Sequence, residues 1–312
     1  MVIGDSFVEA RQVTQPETSA SVLEATLNSL SDQKNRYEVI SAGASAWGPD
    51  QELMYFRSEG QLFKPDLVVG YWYPANDLMD ILPDHRMTFE GTNCYAPYFA
   101  MCQGEFDSQS WFSAPGIAPA REQCSPLKKF ASAQLYKLYS YSRLYQQLEP
   151  LLAKHQSQIK YATKYSPWLA GVPDPVLDYA YAVTDNIYAQ LAREANQIGA
   201  KTALVIVPLK EAVYYEAVSA VRQQLEIQYP DLKNSNPRLP NQRLTALMSN
   251  RNVPVFDLQP QFVDHIQSGG GVLYGDVDSH WNVPGNQLAG QLIAQWLVEQ
   301  QLVSTPPKLS DH

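Results

Sequence analysis

The chain has 312 residues, 45% of them hydrophobic and 18% charged, with a formal net charge of -9 at pH 7. That length can bury a substantial core, and that composition excludes a disordered chain. The acidic balance argues against a nucleic-acid partner, which normally meets a basic face, and no apolar run reaches the roughly 18–20 residues of a membrane span.

Met1-Val2-Ile3 reads as the end of a buried strand. Buried strands usually run about 5–6 residues, so the chain is expected to lack a few residues at its start. A signal peptide would then be lost with them, which tilts the expected location toward a secreted or periplasmic one. Four further strands are expected at Tyr37–Ser41, Leu67–Tyr71, Thr202–Val207 and Pro254–Phe256. Amphipathic stretches between them predict helices over Pro16–Leu30, Asp50–Phe63, Pro175–Ile198 and Glu211–Tyr229, and Val283–Glu299 closes the chain. Short β-branched runs alternating with longer amphipathic ones predict an α/β fold with a mostly parallel sheet.

Two regions break the rhythm. Residues 83–126 are rich in Pro, Gly, aromatics and Cys without a sustained period, and helical patterning follows over Leu127–Ile159. Long irregular segments inside compact domains are usually functional, so one domain spanning 1–312 with an inserted lid or subdomain at about 84–170 is expected. Tyr229–Asn241, with three prolines, reads as a surface loop. Cys94, Cys102 and Cys124 lack zinc-type spacing with histidine, and one disulfide plus a free thiol and three buried thiols both stay open.

Ser6 follows the first strand on a turn begun by Gly4. Ligands of parallel sheets bind at the C-terminal strand ends, so this hydroxyl can face a cleft, but it needs a base to become a nucleophile. Among His85, His155, His265, His280 and His312, only His280 has an acid two residues before it in a loop leading to a helix. Residues i and i+2 of an extended segment share a side, so Asp278 can hold the ring through Nδ1 and leave Nε2 for Ser6. A purely structural reading stands beside this one: Asp278 as a helix cap and His280 packed under it. Asp276 is a rival for the orienting acid.

Gly4-Asp5-Ser6-Phe7, Ala42–Gly48 with Gln51-Glu52-Leu53, Asn76-Asp77, and Asp278-Ser279-His280-Trp281-Asn282 with Gly285 occur in that order. Together they resemble the four blocks of the SGNH (GDSL-type) hydrolases. The last block has the Asp-x-His-Trp form of the alginate O-acetyltransferase branch. The Gly-x-Ser-x-Gly elbow of α/β-hydrolases does not occur. The resemblance implies a flavodoxin-like three-layer α/β/α sandwich with a five-stranded sheet. It also implies Ser6 as nucleophile, His280 as base and Asp278 as its orienter. Oxyanion donors would be the backbone N–H groups of Ser6 and Ala46 and the side-chain amide of Asn76. Ala46 stands where the family has glycine, and Pro74 stands two before Asn76 where a glycine is usual.

Trp47, Trp72, Tyr73 and Trp281 flank these blocks and are candidate substrate-binding walls for an acyl group or a sugar ring. Val207–Glu211 resembles a segment of the acyltransferase branch, with no role given to Lys210. The function implied is hydrolysis of carboxylic esters, short-chain acyl or acetyl, on a small molecule or a carbohydrate. An O-acyltransferase using the same triad and a non-catalytic carbohydrate-binding module are the alternatives. No metal or organic cofactor is expected, because the aspartates are dispersed and the histidines lack ligand spacing.

Overall fold

The structure, a computed structural model, describes residues 1–31, 36–81, 100–102, 105–107, 175–276 and 278–303. Most of the expected insertion at 84–170, with Cys94, Cys124, His85 and His155, lies outside the described residues, as does His312.

The main sheet has five strands: β1 (Val2–Gly4), β2 (Ser41–Gly43), β3 (Leu67–Trp72), β4 (Lys201–Ile206) and β5 (Val255–Asp257). They lie in the order β2-β1-β3-β4-β5, and every neighbouring pair is parallel. This is the flavodoxin-like order. A separate antiparallel ribbon pairs Ala100–Cys102 with Glu105–Asp107.

Alternation along the strands builds two cores. Val69, Tyr71, Ala203 and Val205 point to one face of the sheet, whereas Val68, Trp72, Leu204 and Ile206 point to the other. The first face is covered by α2 (Ser19–Leu30), α6 (Lys210–Ala217), α9 (Gln259–Gln267) and α10 (Val283–Glu299) through residues such as Leu23, Val213, Phe262 and Ile293. The second is covered by α3 (Pro49–Ser58), α5 (Pro175–Gln197) and α8 (Leu239–Ser249) through Leu53, Phe56, Ile187 and Leu244. The result is the three-layer α/β/α sandwich. Burial on both faces explains why β3 and β4 read as unbroken apolar runs rather than alternating ones.

Three expectations shift. The second strand is Ser41–Gly43 and not Tyr37–Ser41, because α2 side chains take up the preceding backbone. Asn28 bonds both the N–H and the carbonyl of Tyr37, and Glu24 accepts from the N–H of Val39 at 2.7 Å. The single helix expected over Glu211–Tyr229 breaks at Val218 into α6 and α7 (Ser219–Gln228). Arg222 turns back onto the carbonyls of Tyr215 and Glu216, each at 3.0 Å, and so satisfies groups that the break frees. Tyr229–Asn241 is not all loop: a 3-10 turn covers Pro230–Asn234, and α8 starts at Leu239.

Candidate active site

The first three strands end at one place. Beyond β1 the chain enters α1 (Ser6–Glu9); beyond β2 it makes a tight turn; beyond β3 it leads to Asn76 and α4 (Asp77–Asp80). In the order β2-β1-β3 the chain steps to one side of β1 and returns on the other. That topological switch opens a crevice at the carboxyl ends of the strands.

Asp5 caps α1, with Oδ1 accepting from the N–H of Phe7 at 2.9 Å. Ser6 is the first residue of that helix, so its N–H has no partner one turn back. The helix lies close on the sheet: a Cβ at Gly43 would come within 2.6 Å of the Glu9 nitrogen and of Val8 Cβ. Only glycine permits that approach.

Ser6 Oγ lies 2.7 Å from His280 Nε2. On the other side of the ring, Nδ1 lies 2.5 Å from Asp278 Oδ1. The same Oδ1 accepts the backbone N–H of His280 at 3.0 Å. Asp278 therefore reaches the ring through an Asx turn and not through an extended segment as the spacing suggested. With the Nδ1 proton directed at the carboxylate, Nε2 is left to accept from the serine hydroxyl. Burial raises the Asp278 carboxyl, but the His280 N–H and ring outweigh it and hold the group below the ordinary carboxylate range. Asp276 is exposed, and its backbone carbonyl rather than its carboxylate makes its contact, with Lys210 at 3.5 Å. Phe7 packs against the imidazole, with ring centroids 4.9 Å apart.

Ala46 has φ 64°, in the left-handed region. It is the third residue of a turn closed by the N–H of Trp47 on the Ala44 carbonyl at 3.1 Å. The positive φ there is what a type II turn asks of glycine, so the alanine holds the glycine conformation at a cost in strain. Glu9 fixes this turn by accepting from the N–H and hydroxyl of Ser45. Its own position at the end of α1 ties the second block to the first.

Asn76 is brought to the same crevice, but its amide protons are engaged. Nδ2 donates to Asp5 Oδ2 at 3.2 Å and to Asp80 Oδ2 at 3.1 Å. The oxyanion role that the resemblance implies for Asn76 thus requires one of these two protons to leave its carboxylate. Asp5, Asp50, Glu52, Asp77 and Asp80 are all buried here. Burial pushes the Asp5 carboxyl up to about 6, against the donors at Phe7 and Asn76. Burial and the Asp5 charge hold Glu52 and Asp77 well above the ordinary range. Sequence reading missed this cluster, since acids this close in space are scattered over 76 positions and give no local signal.

The candidate substrate walls need correcting. Trp72 and Trp281 are 0% exposed and Tyr73 is 6% exposed. Trp281 packs among Phe7, Tyr71 and Phe262, and Trp72 faces Tyr181. These three are core, because the residues that end buried strands, or lie beneath the helix that carries the last block, point into the sandwich. Trp47 is half-buried against Tyr55 and is the one of the four left partly open to solvent.

Among the described residues no group of His, Cys, Asp and Glu is arranged to hold a metal ion, and no helix is long and apolar enough to cross a membrane. No family model matches the sequence, and no curated protein matches it. Several solved structures match at low identity. An acetyl xylan esterase, AlAXEase, matches with 13% identity over 95% of this chain and 98% of its own, with a TM-score of 0.44. LAE5, an alpha/beta hydrolase from the metagenome of Lake Arreo, Spain, matches with 11% identity over 97% and 95%, with a TM-score of 0.46. A mutant of Axe2, an acetyl-xylooligosaccharide esterase from Geobacillus Stearmophilus, matches with 11% identity over 98% and 95%, with a TM-score of 0.45.

Proposed function

We propose that the protein is a serine hydrolase of the SGNH type that cleaves short-chain carboxylic esters through an acyl-Ser6 intermediate. The observation that carries this is the continuous line of bonds from Ser6 Oγ to His280 Nε2 at 2.7 Å and from Nδ1 to Asp278 at 2.5 Å. A hydroxyl, an imidazole and a carboxylate in that relation form an activated nucleophile.

In the first half-reaction Ser6 Oγ bonds to the ester carbonyl carbon while its proton passes to His280 Nε2. Asp278 stabilises the imidazolium. The oxyanion is met by the N–H groups of Ser6 and Ala46, and by Asn76 once one of its amide protons leaves a carboxylate. Collapse breaks the bond to the leaving oxygen, which takes the proton from Nε2 and departs as an alcohol. Water then gives a proton to His280 Nε2 as its oxygen bonds to the acyl carbon. Collapse breaks the bond from that carbon to Ser6 Oγ, which takes the proton back from Nε2 and leaves the free acid.

The test is a panel of p-nitrophenyl esters from acetyl to long chain, assayed with the wild type and with Ser6→Ala, together with a fluorophosphonate probe. Turnover that favours short chains and disappears in Ser6→Ala, with labelling at Ser6, is expected. Equal turnover by the variant would sink the mechanism.

A further inference from the structure

Lys210 opens α6 directly beyond β4, and its ammonium is committed to a single turn. Nζ lies 2.5 Å from the carbonyl oxygen of Gly275, 3.0 Å from that of Asp278 and 3.5 Å from that of Asp276. An ammonium has three protons, and here all are directed at the segment that carries the His280–Asp278 pair.

That segment is closed at its base. Tyr274 and Trp281 form an antiparallel bridge, and the Gly275 N–H donates to the His280 carbonyl at 3.0 Å. The Tyr274 hydroxyl donates to the buried Pro208 carbonyl at 3.0 Å. Residues 208–210 thus grip the turn at two points, one neutral and one charged. Carbonyl oxygens converging on one point repel each other unless a cation lies between them. The Asp278 side chain is 46% exposed, so packing alone fixes it weakly. The charge-assisted bonds from Lys210 supply the restraint.

We infer that Lys210 is a positioning residue: its ammonium holds the carbonyls of Gly275, Asp276 and Asp278 so that Asp278 and His280 stay aimed at Ser6. The effect on rate rests on the serine-hydrolase reading above; the effect on the ring does not. With its protons spent on the backbone, Lys210 is not a contact for an anionic substrate.

The test compares wild type, Lys210→Met and Lys210→Arg. It measures kcat and KM on p-nitrophenyl acetate, the melting temperature, and the ring 15N shifts of His280 read through its carbon-bound protons. Those shifts report the tautomer and the bond at Nδ1. In Lys210→Met, kcat falls on the order of 100-fold, the loss typical of misplacing a reacting group by about 1 Å. KM stays within about threefold, and the shifts move toward those of a free, tautomerically mixed imidazole. Lys210→Arg recovers part of both, because a planar guanidinium cannot place three protons on three converging carbonyls. Unchanged shifts with kcat within about threefold of wild type would overturn the proposal. So would a loss of activity explained by the unfolded fraction alone. If Lys210→Met does not fold, Lys210→Arg decides, and wild-type values of both kcat and the shifts overturn it. If the wild type shows no Ser6-dependent turnover, the hydrolase reading fails and the His280 shifts judge the clamp by themselves.

Discussion

Asn76 and Asp80 are joined across one turn of chain, Nδ2 donating to Oδ2 at 3.1 Å, while the second proton of the same amide goes to Asp5 at 3.2 Å. An amide so committed can serve a developing oxyanion only by releasing one carboxylate. The negative charge that forms on the intermediate has to win that exchange. Asn76→Ala is therefore expected to lower kcat by about 10²–10³, as removal of an oxyanion donor does. It also removes one hydrogen bond from each of two buried carboxylates, and a hydrogen bond to a charged group contributes about 1.5–3 kcal/mol to stability. Asp80→Ala frees a donor but loosens its aim, and these opposing effects keep kcat within about tenfold of wild type. Steady-state kinetics on p-nitrophenyl acetate, beside melting curves, check this. Equal losses in the two variants would mean that Asp80 is as necessary as the amide it holds.

The second prediction separates Asp278 from Asp276. Asp278 Oδ1 holds both the backbone N–H and Nδ1 of His280, whereas Asp276 is exposed and meets Lys210 through its carbonyl. Asp278→Asn offers an amide that cannot fix the Nδ1–H tautomer, and kcat is expected to fall by about 10⁴. Asp276→Asn is expected to stay within about threefold of wild type, as surface substitutions usually do. A larger loss in Asp276→Asn than in Asp278→Asn would reverse the assignment of the acid.

Much of this was legible in the chain. Short β-branched runs alternating with amphipathic stretches pointed to the parallel sheet, and the helix over Val283–Glu299 has the bounds expected of it. Position and spacing made Ser6, His280 and Asp278 candidates, with Asp276 as a rival acid, and the four-block resemblance implied their roles. The fold brings the three within hydrogen-bonding distance. What was not legible depends on partners distant in sequence. The second strand moved because Asn28 and Glu24 occupy the backbone before it. The aromatic walls at Trp72, Tyr73 and Trp281 became core because a tryptophan beside a motif reads alike whether it faces ligand or sheet. The role of Lys210 needs the turn folded onto it.

The third prediction concerns Ala46. At φ 64° an alanine carries a left-handed strain of roughly 1–2 kcal/mol, and glycine would relieve it while losing about 0.5–1 kcal/mol to backbone entropy. Ala46→Gly is expected to leave stability unchanged or raised by up to about 1 kcal/mol, with kcat within about threefold, since the N–H stays where it is. Ala46→Val is expected to destabilise by more than 1–2 kcal/mol, because a β-branched side chain tolerates positive φ worse than alanine does. Chemical denaturation of the three proteins checks the order, and a wild type more stable than Ala46→Gly by over about 1 kcal/mol would contradict it.

The fourth prediction follows from Glu52, buried beneath the site. Its Oε2 accepts from the Tyr188 hydroxyl at 3.2 Å, and burial together with the Asp5 charge holds its carboxyl well above the ordinary range. In the unfolded chain a glutamate ionises near pH 4.3. Above that pH the folded protein keeps a proton that the unfolded chain has released. The contribution of Glu52 to stability is therefore fully present at low pH and is lost as pH rises toward its folded pKa. The slope is about 1.4 kcal/mol per pH unit for one proton. Glu52→Gln keeps the acceptor for Tyr188 and the shape of the side chain, but has no proton to lose. Its melting temperature relative to wild type is expected to rise between pH 5 and pH 8. A difference that stays flat or shrinks over that range would mean that Glu52 is ionised in the folded protein, with its charge balanced from within the cluster.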